Sequence, residues 1–404
     1  MNRFEALGLR PELAQVMEKQ GMNDPTAIQQ QVIPKILQGV HLVGQAPTGT
    51  GKTLAYLLPL LQMLDASLPQ VQAVVLAPTY ELGMQIARVA EQVIRLSGLA
   101  LRSQALIGGA NIARQMDKLK QKPQIIIGST GRMLELSRKG KLRLAHVKTL
   151  VLDEFDRMLD DQNVPHLRDF LDVLPEESKL QFLFFSATAP KKALERADFL
   201  NHPEVIRVKE SSEELSRREH FCCMVPFRDK TAMVRKLARR LGVKRGLVFI
   251  NRAFDAERTL SKLQYEGIRA GSLLGSSGKM ERKQAIADFE KGKLQLLLST
   301  DLAARGLDME GIDYVFNLDL PESAQLYQHR AGRTARAGAK GTVITLADAK
   351  EAAKLAELEK KLGIKIRPLG DESPHRSHRQ KSFGKKEGRK AGRKTTGFHC
   401  AVEV

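Results

Sequence analysis

A glycine-rich segment, APTGTGKT at residues 46–53, has the residue types that bind the phosphates of a nucleotide. It follows the apolar run VHLVGQA and precedes the helical pattern LAYLLPLL, so we expect a loop between a strand and a helix. Its glycines let successive backbone N–H groups turn toward phosphate oxygens, Lys52 is expected to reach the β and γ phosphates, and the Thr53 hydroxyl to ligate Mg²⁺. The alternative is a glycine-rich turn before an ordinary helix. The predicted loop residues are Ala46, Pro47, Thr48, Gly49, Thr50, Gly51, Lys52 and Thr53.

Carboxylates and hydroxyls follow two later apolar runs. TLVLDE ends in Asp153 and Glu154, within the sequence DEFD. Beside a phosphate loop, an acid at a strand end holds magnesium, here Asp153, and its neighbour Glu154 orients or deprotonates the attacking water. The next run ends in SAT, whose Ser186 and Thr188 hydroxyls are candidates to couple the nucleotide site to its surroundings. Together with the loop, these groups predict a nucleoside triphosphatase.

Three arginines recur at every third residue in HRAGRTARAG, at Arg330, Arg333 and Arg336. On a helix this spacing places the guanidinium groups along one face, where they would present positive charge to a transferring phosphoryl group. A solvated basic helix is the alternative interpretation.

These residues need a scaffold that gathers the ends of several strands. Short β-branched runs alternate with helical patterns through residue 208, which predicts a parallel sheet covered by helices on both faces. The pattern stops over residues 209–219 and resumes with runs such as GLVFI and LQLLLST. We therefore predict an α/β fold with one domain at residues 1–208, a linker at 209–219, a second domain at 220–368 and a tail at 369–404. In such sheets ligands bind beyond the carboxyl ends of the strands.

Composition excludes several classes of protein. The chain has 404 residues, 42% of them hydrophobic, and a net charge of +19, which indicates a folded basic protein rather than a disordered polycation. No apolar stretch is long enough to cross a membrane. Cys222, Cys223 and Cys400 have neither zinc spacing nor a disulfide framework, so we expect a cytoplasmic location. The basic run after residue 374 predicts a disordered arm that binds phosphates, or alternatively a solubilising tail.

Taken in order, APTGTGKT, DEFD, SAT, STDLAARGLD and HRAGRTARAG resemble the motif series of the DEAD-box ATP-dependent RNA helicases over roughly residues 1–368. GMNDPTAIQ, at residues 21–29, resembles the adenine-recognising Q motif of that family. The resemblance implies two tandem RecA-like domains, each a mainly parallel sheet with helices on both faces, and a disordered basic tail. It implies ATP and Mg²⁺ as cofactors.

The resemblance also assigns residues. Gln29 would contact adenine in a pocket shaped by Phe4, Pro25 and Thr26, and Gly306 and Asp308 would join the nucleotide site, Asp308 at the ribose. His329, Arg333 and Arg336 would close on the γ phosphate, the two arginines as arginine fingers. The RNA-binding residues would be Pro78, Thr79, Gly108, Gly109, Gly131, Arg132, Asn251, Arg282, Thr300 and Arg305. Such contacts reach mainly the phosphate and sugar backbone, so little sequence preference is expected.

Some positions depart from the family pattern, namely Met22, Tyr80, Thr130, Phe155, Lys279 and Ala335. Tyr80 stands where the family usually has Arg and Thr130 where it has Pro, which puts two RNA contacts in doubt. Phe155 replaces a small residue, which we expect to change packing more than magnesium binding. Since the acids, the loop lysine and the arginines are present, we expect an active ATPase that is less tightly coupled to RNA.

The predicted function is an RNA-dependent ATPase that remodels or locally unwinds short RNA duplexes, in a cleft that is completed only when ATP and RNA both bind. An alternative is an ATP-gated RNA clamp or chaperone in ribonucleoprotein assembly, for example of ribosomes, and a third is a DNA helicase. RNA is the expected partner, no membrane is involved, and the chain is expected to act as a monomer.

Overall fold

The computed structural model of the chain describes residues 2–109, 111–176, 179–198, 202–209, 217–274, 279–304, 309, 311–335 and 339–370. These residues form two compact units, the first reaching to residue 209 and the second beginning at residue 217. No helix within the described ranges is both long enough and apolar enough to cross a membrane.

The described part of the first unit is a parallel sheet flanked by helices. Its strands are β1 (Leu42–Gln45), β2 (Ala73–Leu76), β3 (Ser103–Leu106), β4 (Ile125–Gly128), β5 (Thr149–Asp153), β6 (Gln181–Ser186) and β7 (Glu204–Arg207). Its helices are α1 (Pro11–Lys19), α2 (Ala27–Leu37), α3 (Lys52–Met63), α4 (Tyr80–Ser97), α5 (Ile112–Leu119), α6 (Thr130–Arg138), α7 (Phe155–Met158), α8 (Val164–Leu171) and α9 (Lys191–Asp198), after a 3-10 turn at Glu5–Leu7. The strand order is β3-β4-β2-β5-β6-β1-β7.

The apolar runs predicted as strands lie in the middle of this sheet, where both faces are covered. Ile126 packs into the core on one face, while Ile125 and Ile127 pack into the core on the other, as the two-residue period of a strand requires. A Cβ atom added to Gly128 would lie 1.9 Å from the Leu106 carbonyl oxygen, so only glycine lets the end of β4 approach β3 this closely.

The second unit repeats this plan. Its described strands are β8 (Arg218–Met224), β9 (Gly246–Phe249), β10 (Ala270–Ser272), β11 (Leu296–Ser299), β12 (Tyr314–Asn317), β13 (Gly341–Ala347) and β14 (Arg367–Pro368). Its helices are α10 (Lys230–Arg240), α11 (Ala253–Tyr265), α12 (Lys279–Glu290), α13 (Asp301–Ala304), α14 (Ala324–Ala331) and α15 (Ala352–Leu362), with a 3-10 turn at Phe227–Asp229. The strand order is β10-β11-β9-β12-β13-β8-β14, and all pairings between the described strands of both sheets are parallel.

The predicted fold class is confirmed, and the strands that the sequence did not reveal share one property. β3 and β7 are the two edges of the first sheet, and β14 is an edge of the second. An edge strand is covered less completely, so it needs no continuous apolar run. Arg218 and Glu219, which were expected in the linker, are the first residues of β8. The tail beyond residue 370 lies outside the described residues.

Candidate functional site

The phosphate loop turns sharply between β1 and α3. Gly49 and Gly51 have φ angles of +84° and +83°, in the left-handed region that glycine adopts without strain. Inside this turn the Lys52 ammonium donates to the carbonyl oxygens of Ala46, at 2.6 Å, and Pro47, at 2.7 Å. The loop therefore curls around a positive charge at the N-terminus of a twelve-residue helix, which is a favourable place for an anion.

Asp153 is the last residue of β5 and is only 4% exposed. Its Oδ2 accepts a 2.8 Å hydrogen bond from the Tyr56 hydroxyl, and its Oδ1 accepts one of 2.9 Å from the backbone N–H of Glu154. Burial raises the pKa of this carboxyl, while the Tyr56 bond and the charge of Lys52 act in the opposite direction. A carboxylate thus lies within electrostatic reach of the loop lysine.

Glu154 follows β5 in an unusual backbone conformation. Its φ and ψ are +52° and +48°, which a residue with a side chain adopts at a cost of about 1–2 kcal/mol. Such strain recurs at functional positions, where the surrounding structure enforces it. Here it reverses the chain between β5 and α7, so that Phe155 enters the core against Phe184, with ring centroids 5.8 Å apart.

The SAT segment joins the acids to the phosphate loop. Ser186 Oγ donates to Asp156 Oδ1 at 2.7 Å, and the Thr188 hydroxyl donates to the other oxygen of the same carboxylate. The Ser186 carbonyl accepts a 3.1 Å bond from the Ala46 N–H. Because β6 lies between β5 and β1, this segment contacts the residues after both neighbours.

Gln29 is 2% exposed and connects the start of α2 to the phosphate loop. Its Oε1 accepts from the Thr26 N–H at 2.9 Å, within a capping box, and its Nε2 donates to the Gly51 carbonyl at 3.2 Å. Pro25 is buried beside them, while Phe4 belongs to the hydrophobic core of the first unit.

The predicted RNA residues of the first unit follow three adjacent strands. Pro78 and Thr79 come after β2, Gly108 and Gly109 after β3, and Gly131 and Arg132 after β4. Thr79 caps α4 by accepting from the Leu82 N–H at 3.2 Å, and Arg132 pairs with Glu135 at 3.1 Å. The RNA residues therefore share the carboxyl edge of the sheet with the nucleotide residues, which follow β1, β5 and β6.

In the second unit, Asn251 and Thr300 follow the adjacent strands β9 and β11. The Asn251 side chain donates to the Leu320 carbonyl at 3.1 Å, and its backbone N–H donates to Asp319 at 2.9 Å. Arg282 donates to the Ala303 carbonyl at 2.7 Å, next to Thr300, whose hydroxyl accepts from the N–H of Ala303.

The buried Arg330 connects the residues that follow β9, β11 and β12 by hydrogen bonds. It is 1% exposed and binds both carboxylate oxygens of Asp301, at 2.7 and 2.6 Å. It also donates to Asn251 Oδ1 at 2.7 Å and to the Asp319 carbonyl at 2.8 Å, and its guanidinium lies over the Phe249 ring at 5.0 Å. The sequence pattern had suggested a charge presented to a ligand.

The prediction that three arginines share one helix face is wrong. Helix α14 ends at Ala331, and a left-handed backbone at Ala335, with φ of +58°, prevents it from continuing to Arg336. Arg333 therefore follows the helix, and it is buried. His329 lies in the last turn of α14. Arg336, with the predicted residues Arg305, Gly306 and Asp308, lies outside the described residues.

Sequence reasoning missed Tyr56 and undervalued Arg330. Tyr56 lies one helical turn after Lys52, at the spacing that places two side chains on the same face of a helix. That spacing was the available signal, but an aromatic residue inside LAYLLPLL has the pattern of an ordinary core residue.

Comparison with known proteins adds independent information. The family model described as DEAD/DEAH box helicase matches residues 26–197, and the one described as helicase conserved C-terminal domain matches residues 229–338. The DEAD-box ATP-dependent RNA helicase CshC of Bacillus cereus is 41% identical over 88% of this chain and 90% of its own length. The probable ATP-dependent RNA helicase YfmL of Bacillus subtilis is 39% identical over 86% and 91%.

Solved structures agree with these matches. Dbp5 of Saccharomyces cerevisiae bound to RNA and ADP BeF3 superposes with a TM-score of 0.82, at 27% identity, covering 91% of this chain and 96% of that one. Mss116p bound to single-stranded RNA and AMP-PNP gives a TM-score of 0.78 at 24% identity, covering 91% of this chain and 78% of that one, which shows a shared fold.

Proposed function

This chain belongs to the DEAD-box ATP-dependent RNA helicases, and from that membership we propose that it couples ATP hydrolysis to the local separation of short RNA duplexes. The observation that carries the proposal is the strand order of the first unit. There β5, which ends at Asp153, lies between β6, which ends at Ser186, and β2, which is followed by Pro78 and Thr79. Neighbouring strands are about 4.8 Å apart. When RNA displaces Pro78 and Thr79 after β2, the movement therefore has to cross only one strand spacing to reach Asp153 at the end of β5.

The chain's own groups account for nucleotide binding. On ATP binding, Lys52 exchanges the carbonyl oxygens of Ala46 and Pro47 for phosphate oxygens. Backbone N–H groups of the loop and of the first turn of α3 bind the remaining phosphate oxygens.

The hydrogen bonds of Gln29 favour adenine. An amide has two N–H hydrogens and two lone pairs on its oxygen, and Gln29 uses one of each on Gly51 and Thr26. The donor and acceptor that remain match the N7 acceptor and the N6 amino group of adenine, whereas guanine offers two acceptors along that edge. We therefore propose ATP rather than GTP as the substrate.

The residues at the loop fit a nucleotide-bound magnesium ion. Within the described ranges there is no group of three or more His, Cys, Asp or Glu side chains arranged to hold a metal. Mg²⁺ at such sites needs only one or two protein ligands besides phosphates and water, and Asp153 and Thr53 would provide them. When bound, the ion neutralises charge on the β and γ phosphates. Glu154 would orient the attacking water, and the resemblance to the family assigns His329, Arg333 and Arg336 to the γ phosphate.

Steady-state ATP hydrolysis with and without mixed cellular RNA tests the assignment. We expect stimulation by RNA, loss of turnover in Lys52→Ala, and unchanged turnover in the matched exposed control Lys141→Ala. Glu154→Gln should bind ATP and RNA but accumulate as a stable complex. Normal turnover in Lys52→Ala would refute the site.

A short RNA duplex separates strand separation from clamping. We expect strand release that depends on ATP hydrolysis, and competition by RNA but not by DNA for ATPase stimulation. Stable ATP-dependent retention of the duplex without strand release would instead favour an RNA clamp.

A further inference from the structure

Basic residues gather at the amino edge of the second sheet, where β10, β11 and β9 lie side by side. Arg269 directly precedes β10, Lys291 and Lys293 precede β11, and Lys244 precedes β9. Helix α10 reaches the same place with Arg239 near its end, and α11 reaches it with Tyr265. We call Arg239, Lys244, Tyr265, Arg269, Lys291 and Lys293 the basic corner.

Hydrogen bonds show that these segments are neighbours in space. Arg269 donates to the Gly292 carbonyl at 3.4 Å and accepts at its own carbonyl from the Gln295 N–H at 2.7 Å. The Gln295 side chain donates to the Val243 carbonyl at 2.7 Å, and Arg239 donates to the Glu266 carbonyl at 2.5 Å.

The acids nearby cancel only part of this charge. The Glu266 carboxylate is paired with Arg235, and Asp288 is paired with Lys293 at 3.2 Å. A hydrogen bond from Gln284, followed by that of Lys293, lowers the pKa of Asp288, which therefore stays ionised and engaged. All the basic residues of the corner are exposed, and Lys244, Arg269 and Lys291 carry its charge, although Lys291 also acts on Asp288. Glu290 and the exposed Asp313, whose N–H donates to the Arg245 carbonyl at 3.0 Å, are further acids at this edge.

Helix ends explain only part of this charge. Cations in the last turn of a helix are stabilised by the helix dipole, which accounts for Arg239 and for Lys291 at the end of α12. Lys244 and Arg269 lie past the last turns of α10 and α11, beyond the range of that effect.

Tyr265 adds an aromatic surface to the corner. It is 93% exposed, although burying an aromatic ring is normally favourable. An exposed ring among cations is the combination that binds single-stranded nucleic acid, because bases stack on the ring while the cations contact phosphates.

The corner is separate from the RNA residues proposed above. Asn251 and Thr300 follow the carboxyl ends of β9 and β11, whereas the corner precedes their amino ends. Each of these strands has four residues, so about 13 Å separates the two edges of the sheet.

We propose that the basic corner is a second RNA-binding site, which contacts single-stranded RNA through phosphates and through one base stacked on Tyr265. This inference rests on the proposed function, in which RNA is the substrate. Arg240, beside Arg239, donates to the Gly370 carbonyl at 2.8 Å, so Gly370 lies at the end of α10. The site holds RNA independently of nucleotide.

The first test measures binding of a fluorescein-labelled oligouridylate to the full chain, without nucleotide, at several salt concentrations. The triple variant K244Q/R269Q/K291Q is compared with K19Q/K118Q/K141Q, which removes the same charge from exposed positions of the first unit. Each phosphate contact to a single strand contributes about 0.7 to the slope of log Kd against log salt, so the corner variant should lose about 2 from that slope. Equal slopes and affinities for the two triple variants would overturn the proposal.

The second test concerns Tyr265. Base stacking on an aromatic side chain changes affinity by at least about fivefold, so Tyr265→Ala should weaken oligouridylate binding by that factor. Phe227→Ala, another exposed aromatic of the same unit, is the control and should leave binding unchanged. Polyglutamate serves as a competitor without bases, and Tyr265→Ala should not alter its affinity. If Tyr265→Ala weakens the binding of neither oligouridylate nor polyglutamate, or weakens the binding of both by the same factor, the corner is at most a general polyanion surface. The assignment to RNA is then wrong.

ATP hydrolysis separates this inference from the proposed function. If RNA fails to stimulate the wild-type ATPase while the corner variant still loses RNA affinity, the proposed function fails and the corner stands. If RNA stimulates the ATPase and the corner variant binds RNA like its control, only the corner is wrong.

Discussion

The Tyr56 hydroxyl donates a 2.8 Å hydrogen bond to Asp153 Oδ2, which attaches the helix after the phosphate loop to the end of β5. Tyr56→Phe keeps the ring contact with Phe185 but leaves a buried carboxylate oxygen without this donor. We expect the free energy of unfolding to fall by about 1–3 kcal/mol. Urea denaturation measures it, with Tyr80→Phe as the exposed control, and equal midpoints for Tyr56→Phe and wild type would contradict the prediction.

Phe155 is fully buried against Phe184, so it acts through packing. Phe155→Ala, which restores the small residue usual in the family, should lower the free energy of unfolding by about 3–5 kcal/mol because it leaves a cavity. Phe155→Leu should lower the free energy of unfolding by less, because leucine leaves a smaller cavity. An alanine variant as stable as the wild type would show that the surrounding core closes over the gap.

Arg330→Lys tests the buried arginine of the second unit. Lysine cannot bind both oxygens of Asp301 and also reach Asn251, so we expect a loss of about 2 kcal/mol or more in unfolding free energy. Because Asn251 belongs to the proposed RNA residues, more RNA should be needed for half-maximal ATPase stimulation. The KM for ATP should stay the same, and a parallel rise in both constants would argue against a positioning role toward RNA.

His220 predicts a pH dependence. Burial, followed by the charge of Arg218, lowers the pKa of His220 to about 4, and its Nδ1 lies 2.9 Å from the Tyr327 hydroxyl. The unfolded chain therefore binds the proton more readily than the folded one. The contribution of His220 to the free energy of unfolding is fully present above about pH 6.5. It falls by about 2–3 kcal/mol as the pH drops toward 4. Replacement of His220 by Asn should flatten this decline in urea denaturation, whereas the same change at the exposed His146 should not.

Local sequence determined the strands and loops that carry the nucleotide residues. Continuous apolar runs mark central strands because both faces are buried, and each predicted loop follows one of them. The edge strands β3, β7 and β14 lack that signal. The position of Ser186 between the acids and the phosphate loop depends on the strand order, which no local pattern encodes.

The features of the site that local sequence did not predict depend on contacts between residues distant in sequence. Tyr56 and Arg330 have their roles because Asp153 and Asp301 approach them in the folded chain. The three-residue spacing of the arginines suggested a continuous helix, but the backbone is left-handed at Ala335, a conformation that an alanine does not reveal in the sequence.

The short strand β14 decides where the chain can be cut. It covers the open side of β8, the Leu369 N–H donates to the Cys222 carbonyl at 2.8 Å, and Pro368 has no N–H to offer a further strand. A truncation before Arg367 would uncover the apolar run of Phe221, Cys222 and Cys223 and invite strand-to-strand aggregation. Proteolytic removal of the basic tail will therefore yield a protein that does not aggregate only when cleavage falls beyond Gly370.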